Sequence, residues 1–88
     1  MSERIVSNGE VVEIELAVPE GHRHLRARIS LAGGEVLVLQ EATVANLVRA
    51  YVGLKTHPTR QRQRLVGRVL ADQERKSGFA DWQLLEVD

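Results

Sequence analysis

Apolar and polar residues alternate through the first third of the chain. From Glu10 to Val18, Val12, Ile14, Leu16 and Val18 point one way, and Glu13, Glu15 and Ala17 point the other. A period of two is the mark of a half-buried strand. Pro19-Glu20-Gly21-His22 breaks the pattern, which resumes from Arg23 to Leu31 with Leu25, Ala27, Ile29 and Leu31 on one face. The two segments predict an antiparallel hairpin with a four-residue loop. That register sets Leu16 against Leu25, Ile14 against Ala27 and Val12 against Ile29. On the outer face it sets Glu15 against Arg26 and Glu13 against Arg28, each pair adding roughly 0.2–1 kcal/mol. Ala32-Gly33-Gly34-Glu35 is the next turn, and Val36 to Leu39 follows as a strand apolar on both faces.

The period then changes. Val44, Leu47, Val48 and Tyr51 recur at helical spacing, with Thr43 as the expected cap and Gly53 as the expected stop. A second helix is predicted from Pro58, in the first turn, to Lys76-Ser77-Gly78-Phe79, where Gly78 suits a left-handed terminus. Gly67 lies inside it and costs ~1 kcal/mol relative to alanine. Trp82 to Val87 reads as a last strand, filling an edge of the meander or pairing with a second chain. The expected fold is α+β: a three-stranded antiparallel meander (about 10–18, 23–31 and 35–40) and a C-terminal strand (82–87). Two helices (about 43–53 and 58–76) cover one face. The whole is a single small domain over 1–88, with 1–9 a flexible lead-in.

The segment Gln63-Arg64-Leu65-Val66-Gly67-Arg68-Val69-Leu70 has an alternative reading as two short strands joined at Gly67. With the apolar hairpin, the Thr43-Val44 helix start and the Leu65-x-Gly67-x-x-Leu70 stretch, the order resembles the β-grasp fold of ubiquitin-like proteins. The extra N-terminal strand departs from that pattern. The chain also ends in Val87-Asp88 rather than Gly-Gly, so the resemblance implies no carrier role through C-terminal activation.

Composition narrows the classes. Eighty-eight residues bury only ~60–65% of the surface of the unfolded chain, so the core is thin and a second copy would help it. There is no cysteine, hence no disulfide framework and no thiolate zinc site. No apolar run approaches the ~20 residues of a membrane span, and Met1-Ser2-Glu3-Arg4 lacks a signal-peptide pattern. A cytoplasmic protein that leaves membranes alone is the expectation.

Net charge is zero, but unevenly spread. Met1 to Glu41 is acidic, Lys55 to Lys76 is basic, and Ser77 to Asp88 carries acidic groups alone. Arg60, Arg64 and Arg68 recur every four residues and would stripe one side of the second helix. These three are the candidate contacts to a partner or to phosphate. No aromatic residue interleaves them to stack on bases.

Other chemistry is sparse. His22 and His24 share a strand face but lack a placed third ligand, so no metal site is assigned. No serine lies in a Gly-x-Ser-x-Gly elbow, and Gly33-Gly34 is too short for a phosphate loop. Trp82 is expected in the core. These readings lead to a small non-catalytic interaction or accessory domain without cofactors, binding a protein partner or forming a homodimer. A nucleic-acid-binding module built on the arginine stripe is the alternative.

Overall fold

The computed structural model describes residues 2–76 and 81–87. The fold is α+β, divided into two compact units, Met1–Ala45 and Asn46–Asp88. The first unit holds strands β1 (Val11–Ala17), β2 (Arg26–Leu31) and β3 (Val36–Gln40), joined in that order into an antiparallel sheet. Helix α1 (Glu41–Thr56) follows β3 without a break and runs into the second unit. That unit holds an antiparallel pair, β4 (Arg64–Val69) and β5 (Trp82–Val87).

The meander forms as its alternation predicts, but in another register. Ile14 lies opposite Ile29, Glu15 opposite Arg28 and Leu16 opposite Ala27. The partners are shifted by two residues because the loop between β1 and β2 spans eight residues, 18–25, rather than four. Its turn is closed by the His22 N–H donating to the Pro19 carbonyl at 3.0 Å. Leu25 is drawn off the ladder, since its N–H donates to Glu41 Oε2 at 2.7 Å. A bulge between Val11 and Glu13 restores the phase, putting Val11 rather than Val12 opposite Leu31.

The β2–β3 turn explains one of its two glycines. The Gly34 N–H donates to the Leu31 carbonyl and the Leu31 N–H to the Glu35 carbonyl, at 3.0 and 2.9 Å. This is a three-residue loop with a bulge, in which Gly34 adopts φ of +92°. That backbone angle strains any residue with a Cβ.

The segment before β1 makes local contacts. A single 3₁₀ turn, Asn8–Glu10, leads into β1. Glu10 accepts the Ser7 N–H at 2.8 Å and the Arg4 guanidinium at 3.0 Å. Arg4 also reaches Glu35 at 3.1 Å, so it ties this segment to the β2–β3 turn.

The helix is longer than expected at both ends. It starts at Glu41, passes Thr43 and Gly53, and stops at Thr56, whose hydroxyl donates to the Val52 carbonyl at 2.8 Å. The apolar stripe is present, but Leu47, Val48, Tyr51 and Val52 are exposed.

The second predicted helix does not form. The span 58–76 contains a loop, strand β4 and a 3₁₀ turn, Asp72–Glu74. Nor are there two short strands: β4 runs straight through Gly67. Pro58 does follow a cap of sorts, since His57 Nδ1 accepts the N–H groups of Thr59 and Arg60 at 3.1 and 2.7 Å. That turn is not propagated. The valine-rich run Leu65-Val66-Gly67-Arg68-Val69 instead pairs with β5, with Gly67 opposite Leu84 and Val69 opposite Trp82. A strand accepts β-branched residues readily. β5 therefore pairs with β4 and not with an edge of the meander. The expected stop at Gly78-Phe79 lies outside the described residues.

Candidate functional site

Pairing places side chains of the first sheet in columns. Ile14, Ile29 and Leu37 form one column, and Leu16, Ala27 and Leu39 the next. Partners in register point to the same face, so this face is apolar from edge to edge. The opposite face carries Glu15, Arg28 and Val38 in one column and Ala17, Arg26 and Gln40 in another.

Very little of the apolar face is covered. Among the described residues only Ala27 and Leu31 count as buried, each at 4% exposure. Ile14 remains 60% exposed and Leu16 58%. Ala27 is sheltered because it is small and central, flanked in its row by Leu16 and Leu39. Single exposed apolar residues are common on folded proteins; a contiguous set across a sheet marks a contact surface or an aggregation liability.

The two edges of this sheet differ. β1 carries Glu13 and Glu15 and is kinked by its bulge. β3, Val-Leu-Val-Leu-Gln, has no charge, no proline and no bulge. Natural sheets guard edges with the devices of β1, and β3 has none of them. Beside β3 the polar face forms a shallow hollow of about 300 Å³, lined by Glu15, Pro19, Arg26, Arg28 and Val38.

The three candidate arginines do not share a helix. Arg60 lies in the loop before β4 and donates to Gln63 Oε1 at 2.7 Å. Arg64 and Arg68 lie on one face of β4, because a spacing of four is also a multiple of two. Arg68 is engaged: its two terminal nitrogens donate to Glu74 Oε1 and Oε2 at 3.1 and 2.9 Å. This two-point pairing with Arg68 holds the Glu74 carboxyl below the usual carboxylate range, and the Ala71 N–H it accepts adds to the effect. The same hydrogen bond raises the Arg68 guanidinium. Glu10 is also lowered, first by the Ser7 N–H and then by the charge of Arg4.

His22 and His24 do not converge on a third ligand. His24 Nδ1 lies 3.4 Å from Glu41 Oε2, and His22 belongs to the β1–β2 turn. Among the described residues no group of three or more His, Asp or Glu side chains could hold a metal. No helix among them is long and apolar enough to cross a membrane.

Sequence reasoning missed the open edge of β3. Its signal was available: a five-residue run without charge or proline directly before a helix. No protein-family model matches the chain, and neither a curated protein nor a solved structure matches it.

Proposed function

We propose that this chain is a small interaction domain that acts by binding polypeptide, through the apolar face of its three-stranded sheet. One observation carries the reading. Ile14 and Leu16 stand more than half exposed on a face that is apolar in every column. Covering one such side chain fully contributes about 1.5–3 kcal/mol.

A photo-crosslinking phenylalanine analogue in place of Leu16 tests this in cells that naturally make the protein. Irradiation should yield a covalent polypeptide adduct there, and none when the analogue replaces Arg23 in the loop. A chain that forms no polypeptide adduct from position 16 would sink the proposal.

The nucleic-acid alternative has thinner support. Guanidinium groups do suit phosphate, but Arg68 is bound on two points to Glu74 and Arg60 is bound to Gln63. Arg64 is left to make such a contact without first giving up a side-chain partner among the described residues.

A further inference from the structure

We infer that the turn leaving α1 toward β4 is a proton-sensitive switch, held by the neutral His57 imidazole and released when that ring takes a proton. This goes beyond the apolar-face reading and does not depend on it.

The turn hangs on one atom. His57 Nδ1 accepts the Thr59 N–H at 3.1 Å and the Arg60 N–H at 2.7 Å. His57-Pro58-Thr59-Arg60 has the layout of a helix start, with proline in the first position and the next two N–H groups bonded to the capping side chain. Serine, threonine or asparagine in that place would offer an oxygen that accepts at any pH near neutrality. An imidazole nitrogen accepts only while the ring is neutral, and here the ring proton must sit on Nε2. Imidazolium is a donor at both nitrogens. One protonation therefore removes the acceptor from two N–H groups and turns a third donor against them.

The surroundings give the proton no reward inside the turn. The charges beside His57 along the chain are cations: Lys55 in the last turn of α1, Arg60 and Arg62 in the loop, and Arg64 opening β4. β5 brings Glu86, which lies opposite Leu65. Among the described residues no carboxylate forms an ion pair with His57. His24 is the contrary case. Its Nδ1 stands 3.4 Å from Glu41 Oε2, so a proton there adds an attraction. Glu41 is the first residue of α1 and His57 follows its last. Acid thus tightens the contact where the helix begins and breaks the one just past its end.

The charged ring also has a better place to be. Carbonyls at a helix C-terminus carry the negative end of the dipole and attract a cation within the last turn. The His57 N–H already donates to the Leu54 carbonyl at 3.3 Å, which keeps the residue at that end. His57 is exposed, so its ring can take up the proton and turn without opening a core.

A pH titration of the full chain followed by NMR, with His57→Asn beside it, tests the switch. At about pH 8 the neutral His57 ring should carry its proton on Nε2. The Thr59 and Arg60 amide protons should then lie downfield of open-chain positions. Between about pH 8 and pH 5, where histidines change charge, both amide signals should move upfield with one midpoint, shared with the His57 ring signals. His57→Asn keeps an acceptor that does not titrate, so its two amides should stay downfield across the range. Parent amides that ignore the His57 titration overturn the switch. So does a shift of the same size that survives in His57→Asn.

Discussion

The indole of Trp82 lies over the backbone of Gly67: a Cβ placed on that glycine would sit 2.9 Å from the ring nitrogen. The two residues are on neighbouring strands of the β4–β5 pair and on the same face. A glycine within a strand exposes backbone and gives the ladder nothing to pack, and an aromatic neighbour compensates. The glycine that counted against a helix over 58–76 is thus the floor beneath the single tryptophan.

Gly67→Ala should therefore destabilise β4–β5 by about 1–2 kcal/mol, as overpacking does. At an ordinary strand position the same change is favourable, because glycine loses more freedom on folding. Urea unfolding followed by Trp82 fluorescence measures the sign. In a Leu84→Ala background the penalty should persist, since the clash is with the ring. A stabilised Gly67→Ala would contradict the packing.

Acid should loosen the turn at Asp72–Glu74. The Glu74 carboxyl is held below its ordinary range by Arg68. A group lowered on folding stabilises the fold above its unfolded value, and that stabilisation is lost as pH falls through the folded value. Exchange of the Ala71 amide, which Glu74 accepts, should accelerate across that acid window. Glu74→Gln should abolish the pH step.

Gly34→Ala should weaken the β2–β3 turn by about 1 kcal/mol, because φ of +92° is costly for an L side chain. Gly33→Ala should cost far less, since Gly33 does not take a positive φ. Thermal unfolding of the two variants, compared side by side, checks the difference.

Glu41→Ala should cost about 0.5–1.5 kcal/mol, the scale of one hydrogen bond, by releasing the Leu25 N–H. Fraying should appear first at the β2 end of the loop, at Arg26. A Leu25 amide whose exchange is unchanged in the variant would show that Glu41 does not hold it.

If the arginines do not serve nucleic acid, the parent should cause no salt-dependent retardation of duplex or single-stranded DNA or RNA. The Arg60→Ala/Arg64→Ala/Arg68→Ala variant should then behave alike in that assay. Retardation that weakens steeply with salt and disappears in the triple variant would restore the nucleic-acid reading.

The meander was legible because its first two segments alternate with a period of two and the third is a short apolar run set off by the Gly33-Gly34 turn. Its register was not, since the loop length depends on Glu41 capturing the Leu25 N–H across sixteen positions. The second half misled for a related reason. Arg60, Arg64 and Arg68 fit a helix, yet a spacing of four puts Arg64 and Arg68 on one strand face just as well. Proline and glycine at the two ends supported the helix, while Val66, Gly67 and Val69 in the middle favoured extension. The candidate contact surface was legible in its apolar residues and hidden in its exposure, which depends on what the rest of the chain leaves uncovered.

The unequal edges of the first sheet bear on how far assembly could proceed. β1 is kinked at Val12 and bears Glu13 and Glu15, so a further strand is disfavoured on that flank. β3 carries neither guard. Growth of the sheet by strand addition is therefore open in one direction and blunted in the other.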